Sequence, residues 1–91
     1  MKITWDEKKN RANLRKHGLD FTDAAQVFEG PMLTRFDSRE DYGEARWIGI
    51  GMTRGRVVVL VYSESDDGET NRIISMRKAL SHEERRYEET F

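Results

Sequence analysis

Residues 57–62, Val-Val-Val-Leu-Val-Tyr, form the longest uninterrupted apolar run in the chain. A short run of this kind, rich in β-branched side chains and bounded by turn residues, predicts a buried central β-strand. On its N-terminal side, Arg54-Gly55 predicts a hairpin turn to a preceding strand at Ala45–Met52. On its C-terminal side, an acidic loop at Glu64–Asn71 leads to a further strand at Arg72–Arg77. These segments predict an antiparallel meander.

A first helix is predicted over residues 7–17, close to the N-terminus. Asp6 is placed to act as its N-cap and Gly18 to end it. Its apolar side chains are only Leu14 and Ala12, so we expect it to bury little else. Its basic side chains Lys8, Arg11 and Arg15 form one stripe at helical spacing.

A second helix begins at Asp20 or Thr22 and ends at Gly30-Pro31. Its expected core-facing residues recur at helical spacing and are Phe21, Ala24, Ala25 and Phe28.

The remaining elements are short strands at Lys2–Trp5 and Met32–Phe36 and a helix at the C-terminus. Ser81 and Glu84 read as a capping box, with Ser81 as N-cap and Glu84 at the third helical position. The predicted order is therefore a strand, two helices, an antiparallel meander and a final helix. This order is typical of an α+β domain, and we expect residues 1–91 to form a single one.

Composition excludes several classes of protein. The chain has 91 residues, of which 36% are hydrophobic and 36% charged, so it suits one modest core. The absence of cysteine excludes disulfides and thiolate metal sites. The N-terminal residues are charged where a signal peptide is apolar, and the run at Val57–Tyr62 is far too short to cross a bilayer. We therefore expect a cytoplasmic protein without a membrane partner.

The charges are segregated although they nearly cancel. The 16 basic and 17 acidic side chains give a formal charge of -1, yet residues 1–17 hold six basic and two acidic groups. Residues 18–44 reverse this balance, with seven acidic and two basic groups. Such segregation fits a protein with two charged faces, one of which can hold a polyanion. It also fits solvated helices and turns that differ in charge by chance, which is the commoner explanation in a small domain.

Few kinds of chemistry are compatible with this set of residues. There is no G-x-S-x-G motif and no H-x-x-x-H pair, and the acidic loop lacks the full spacing of a calcium site. We expect neither a metal nor another cofactor. Cleavage of RNA without metal needs a base, cations that hold the phosphorane, and an acid for the leaving oxygen. Arginine suits the cationic role, because its planar fork binds phosphate oxygens bidentately.

Candidates for these roles occur along the chain, and each has a structural alternative. His17 beside Gly18 equally fits an interaction with the last carbonyls of the helix. Glu44 and Arg46 equally fit a local charge pair, and Tyr87 with Phe91 is typical of a core. Strict alternation sends Arg72 and Arg77 to opposite faces of a strand, so they share a site only if a bulge or a strand end intervenes. The residues alone leave a nuclease and a non-catalytic binding module equally open.

Several motifs together resemble the BrnT-type toxins of bacterial type II toxin–antitoxin systems. They cover almost the whole chain in order: Trp5-Asp6 with Lys9, Ala12-Asn13 and Lys16-His17-Gly18; Phe21, Ala24 and Val27-Phe28; Gly43-Glu44-x-Arg46; the hairpin from Gly49 to Val61-Tyr62; Arg72-Ile73-Ile74-Ser75-x-Arg77-x-Ala79; and Glu84-Arg85-Arg86-Tyr87.

This resemblance implies a RelE-like fold and an endoribonuclease that inhibits translation. It also implies a BrnA-like antitoxin as partner, through which the complex binds operator DNA. The expected catalytic residues are Lys9, His17, Arg72 and Arg77. The expected substrate-binding residues are Lys8, Arg11, Arg46 and Tyr87. Arg72 and Arg77 would steady phosphate charge, and Lys9 or His17 would transfer protons.

Overall fold

The computed structural model describes residues 1–91, which form five β-strands, three α-helices and one 3₁₀ turn. In chain order these are β1 (Lys2–Trp5), α1 (Glu7–His17), the 3₁₀ turn (Phe21–Asp23), α2 (Ala24–Glu29), β2 (Leu33–Phe36), β3 (Arg46–Thr53), β4 (Arg56–Glu64), β5 (Thr70–Lys78) and α3 (Ser81–Thr90). The fold is mixed α+β, and its N-terminal strand and C-terminal helix lie where the sequence predicts them. None of the helices has the length and apolar character needed to span a membrane.

The five strands form one sheet with the order β1-β5-β4-β3-β2. Strands β2 to β5 pair as the predicted antiparallel meander, with β4 in the centre. β1 pairs in parallel with β5 at the edge of the sheet, which the sequence pattern did not indicate. Parallel pairing joins residues far apart in the chain, so no local turn signal announces it.

One face of the sheet, here called the core face, packs against α1, α2 and the segment between them. Val58 and Leu60 of β4 are completely buried on this face. The cluster around them also contains Leu19, Phe21, Ala24, Val27, Tyr62, Ile73 and Met76. β3 admits α2 closely because it carries glycine here: a Cβ at Gly51 would lie 2.7 Å from Val27 Cγ1.

A bulge in β5 changes the direction of its side chains. Tyr62 pairs with Ile73 and Val61 pairs with Ser75, so Ile74 has no partner on β4. Because of this extra residue, Ile73 and Met76 both lie in the core although they are three positions apart. The same shift places Arg72 and Arg77 together on the opposite face of the sheet. The sequence allowed Arg72 and Arg77 to share a face only if a bulge or a strand end lay between them, and the bulge is present.

The buried side chains of α1 are Asn10 and Asn13, whereas Leu14 is 43% exposed. The expectation that Leu14 and Ala12 supply the buried surface is therefore wrong. Asn13 Nδ2 donates to the backbone oxygens of Met76 and Leu19, at 2.9 and 3.1 Å, and its Oδ1 accepts from the Met76 amide at 3.1 Å. Since β1 ends opposite Ile73, this amide takes the place of a missing strand partner at the edge of β5.

Asn10 fixes the segment that follows α1. Its Oδ1 accepts from the backbone amide of Phe21, and its Nδ2 donates to the Asp20 carboxylate. Asp20 in turn caps the 3₁₀ turn by accepting from the Thr22 amide. The tighter turn alters the helical phase, so Val27 enters the core and Ala25 is exposed, contrary to the predicted stripe.

α3 packs on the sheet face opposite the core face and begins one residue earlier than predicted. Its N-cap is Leu80 rather than Ser81, and Glu83 rather than Glu84 accepts from the N-cap amide, at 2.8 Å. The reason is that Arg77 on β5 binds the Glu83 carboxylate and fixes it at this position.

Replacing Asn13 with alanine should lower the free energy of unfolding by about 3 kcal/mol, because three buried backbone groups lose their partner. Urea denaturation monitored by circular dichroism measures this change. Arg15→Ala, on the exposed side of the same helix, is the control and should change stability by less than about 0.5 kcal/mol. Equal stability of the two variants would show that the Asn13 bridge contributes little.

Candidate functional site

The face of the sheet opposite the core face carries arginines around an apolar centre. Three rows of side chains cross it, as the strand register requires: Arg46, Ser63 and Arg72; then Arg35, Ile48, Val61 and Ser75; then Leu33, Ile50, Val59 and Arg77. We call this surface the arginine face and define it by Arg35, Arg46, Arg72 and Arg77. The basic segment of the charge pattern, residues 1–17, does not contribute to this face.

At one end of the arginine face, Glu44 lies between two arginines. Arg72 Nη2 donates to both oxygens of the Glu44 carboxylate, one of them at 2.6 Å, and Arg46 Nε lies 3.9 Å from Glu44 Oε1. The Arg46 guanidinium also lies 4.0 Å from the centre of the Tyr42 ring, at cation–π distance. Gly43, with a φ of 73°, forms the turn that presents Glu44. The local Glu44–Arg46 pair considered from the sequence is therefore present, and Arg72 joins it.

At the other end, Arg77 forms a bidentate pair with Glu83. The Nη1 and Nη2 atoms of Arg77 donate to the two carboxylate oxygens at 2.8 and 2.9 Å. The hydrogen bonds from Arg77 are the main reason why the pKa of Glu83 falls from its ordinary 4.5 to about 2. Because Glu83 also caps α3, this pair connects the arginine face to the start of that helix.

A buried carboxylate, Asp37, lies at the rim of this face. Asp37 is 1% exposed, and Arg39 donates to both of its oxygens at 2.7 Å, which lowers the pKa of Asp37 to about 2. Arg39 itself is largely exposed. Hydrogen bonding to Glu83 raises the pKa of Arg77, and the positive charge of Arg39 opposes this effect.

A groove of about 180 Å³ separates the first turn of α3 from β2 and β3. It is lined by Leu33, Thr34, Arg35, Ile48, Ile50, His82, Glu83 and Arg86. Sequence reasoning did not select Arg35, His82 or Arg86 as site residues. One signal was available: His82 and Arg86 are four residues apart, so they share one side of α3. No three histidine, aspartate or glutamate side chains lie close enough together to hold a metal ion.

The predicted site residues are divided between the sheet, α1 and α3. Arg46, Arg72 and Arg77 share the arginine face, with Arg77 at the opposite end from the other two. Lys8, Lys9 and Arg11 are exposed on α1, beside the edge of β5, and His17 is half-buried at the end of that helix. None of these four residues takes part in an ion pair of the structure.

Tyr87 has a packing role in this structure. It is 5% exposed, its hydroxyl donates to the Pro31 carbonyl at 3.0 Å, and its ring lies against Phe91. A ring covered in this way has no surface left for a substrate. The substrate contact predicted for Tyr87 therefore does not fit, and its structural alternative does.

Comparison with known proteins finds one family. A family model described as ribonuclease toxin, BrnT, of type II toxin–antitoxin system matches residues 5–83. No curated protein matches the chain. The matched residues run from the end of β1 to the first turn of α3 and include the arginine face and both of its carboxylate partners.

The free energy of unfolding should fall as the pH is lowered from about 4.5 to 2. The pKa of Glu83 is lower in the folded protein than in the unfolded chain, so its stabilisation is present above pH 4.5 and is lost on acidification. Asp37 acts in the same direction. Glu83→Gln should cost about 1–3 kcal/mol at pH 7 and should flatten this decline. Urea titrations between pH 2.5 and 7 measure both effects.

The matched control for this experiment is Glu88→Gln, which removes an exposed carboxylate of the same helix without an ion pair. It should retain the wild-type decline with pH. If Glu83→Gln declined as steeply as the control, the Arg77–Glu83 pair would not be the source of the acid sensitivity.

Proposed function

Because the chain belongs to the BrnT family of ribonuclease toxins of type II toxin–antitoxin systems, we propose that it is a metal-independent endoribonuclease that inhibits translation. We assign it a RelE-like fold and action in the cytoplasm, and we name a BrnA-like antitoxin as its partner. The observation that carries this proposal is the arginine face, where guanidinium groups surround an apolar sheet surface next to a groove that contains histidine.

The contacts of Arg72 and Arg77 support a role in holding phosphate. Each guanidinium binds a carboxylate through two hydrogen bonds, and a phosphate presents the same pattern of acceptor oxygens. In the proposed mechanism, an RNA phosphate takes the place of the Glu44 or Glu83 carboxylate. The arginine that holds this phosphate, Arg72 at one end of the face or Arg77 at the other, then stabilises the charge that develops on the phosphorane as the 2′-oxygen attacks.

Proton transfer needs a second set of groups near the bound phosphate. His82 is well placed, because it lines the groove beside Glu83, the partner of Arg77. Lys9 and His17, the groups proposed from the sequence, lie on α1, which packs on the core face. They would transfer protons only at another phosphate of an RNA that continues past the edge of β5, and not at one held by Arg72 or Arg77. Lys8 and Arg11 would hold the phosphates of such an RNA on the exposed side of that helix.

A toxin of a type II system has an antitoxin as partner and RNA as substrate. We propose that the BrnA-like antitoxin covers the arginine face and so excludes RNA from it. The toxin would then reach operator DNA only as part of the complex, through the antitoxin.

Arg77→Ala should reduce cleavage of RNA by about 10²–10³-fold, the usual cost of removing one group that stabilises the transition state. Arg72→Ala should have an effect of the same kind. The measurement is the rate of fragment formation from labelled total RNA with purified proteins, together with growth after induction. Arg85→Ala, an arginine of α3 outside the groove, is the control and should cleave like wild type.

Folding must be checked separately, because Arg77 also binds the residue that caps α3. Arg77→Lys retains the charge and removes the bidentate fork, so it should fold and still cleave poorly. Circular dichroism and binding of the antitoxin report folding. The alternative is a non-catalytic nucleic-acid-binding module. It would be shown if the folded wild-type protein left RNA intact and bound it with an affinity that falls steeply as salt increases.

Cleavage should continue in excess EDTA, because the proposed mechanism neutralises phosphate charge with arginines. The rate of fragment formation after dialysis against EDTA should stay within about twofold of the untreated rate. A loss of cleavage that added Mg²⁺ restores would contradict the metal-independent mechanism, while the ribonuclease assignment would stand.

A further inference from the structure

We propose that the groove between β2, β3 and α3 binds one nucleotide of the RNA, with the base on its apolar floor and a phosphate on its arginines. This inference rests on the proposed function, since it assigns a subsite to the same substrate.

The floor is made by Leu33, Ile48 and Ile50, which come from two adjacent strands. Leu33 and Ile50 are direct partners across β2 and β3, and Ile48 follows two residues away on the same face. Leu33 and Ile50 are only half-buried, so apolar surface stays open to solvent here. A nucleobase is a flat apolar ring that packs on such a surface and keeps its polar edge accessible.

The arginines of the groove have no carboxylate partner, unlike the other arginines of the face. Arg72 and Arg77 are each held by a carboxylate, whereas Arg35 and Arg86 are exposed and take part in no ion pair. The groove therefore contains two uncompensated guanidinium groups, with His82 beside them. Guanidinium groups bind phosphate and also stack on bases, so both parts of a nucleotide find a partner.

The groove is connected to Arg77 through Glu83. This carboxylate lines the groove and at the same time accepts both hydrogen bonds from Arg77. A nucleotide in the groove therefore lies next to the pair that a neighbouring phosphate would open. The volume of about 180 Å³ suits a single base, because pockets for larger ligands span about 300–1,000 Å³.

The test measures binding of a fluorescein-labelled 2′-O-methyl RNA hexamer, which cannot be cleaved, by fluorescence anisotropy. Arg86→Ala and Arg35→Ala should each weaken binding about tenfold. Arg85→Ala is the matched control, since this neighbour on α3 lines a different surface with Ser81, Glu84 and Glu88. It should bind the hexamer within about twofold of wild type. All three positions are exposed, and circular dichroism confirms that the variants fold.

A second hexamer in which all bases are replaced by abasic sites tests recognition of the base. The wild type should bind it about tenfold more weakly than the normal hexamer. Equal affinity for the two hexamers, or equal effects of Arg86→Ala and Arg85→Ala, would overturn the proposal. A poly-glutamate peptide that binds as tightly as RNA and depends equally on Arg86 would also overturn it, because the groove would then be a peptide site.

These outcomes are distinct from a failure of the proposed function. If the hexamer binds through Arg35 and Arg86 but the protein cleaves no RNA, the nucleotide subsite stands and the ribonuclease proposal fails. If the protein cleaves RNA but these variants bind the hexamer like wild type, the ribonuclease proposal stands and the subsite fails.

Discussion

The bulge at Ile74 is the constraint on which both faces of the sheet depend. Ile73 and Met76 are both almost completely buried. Without the extra residue, their side chains would point to opposite faces of the sheet, and one of the two would leave the core. The same residue places Arg72 and Arg77 on one surface. The core and the arginine face therefore cannot vary independently, because a change that removed the bulge would disrupt both of them. Bulges of this kind commonly redirect side chains beside functional sites.

The second constraint is the edge of β5, which continues past the end of β1. An exposed strand edge offers unpaired backbone groups and must be covered. Here the cover is a single side chain, since the Asn13 amide binds both the N–H and the C=O of Met76. This use of asparagine explains how a helix with almost no apolar residues packs firmly.

The parts of the fold that local signals determine could be predicted from the sequence. The turn at Arg54-Gly55, the N-cap Asp6 and the C-cap Gly18, whose φ is 70°, all lie as predicted, as does the antiparallel meander. The missed features depend on contacts between distant residues: the parallel pairing of β1, the burial of Asn10 and Asn13, and the cap at Glu83, which Arg77 determines. At the candidate site, Arg46, Arg72 and Arg77 lie on one face of the sheet, but strict alternation did not predict this for Arg72 and Arg77, because it depends on the bulge. The groove was missed because Arg35 and Arg86 meet only after α3 packs on the sheet.

A chain with a formal charge of -1 would accept a polyanion on the arginine face because four of its cations lie on that one surface, two of them paired with carboxylates in the absence of RNA. A buried or half-buried guanidinium without a partner is costly, so Glu44 and Glu83 stabilise Arg72 and Arg77 in the absence of RNA. An arriving phosphate then exchanges one set of acceptor oxygens for another, and part of the desolvation of the arginine has already taken place in folding, since the Arg72 and Arg77 side chains keep 40% and 38% of their surface exposed. Binding gains from this exchange only if further contacts favour RNA over the internal carboxylates. The uncompensated cations at Arg35, Arg86 and α1 are the groups that provide such contacts, so selectivity for RNA should reside in them more than in the paired arginines.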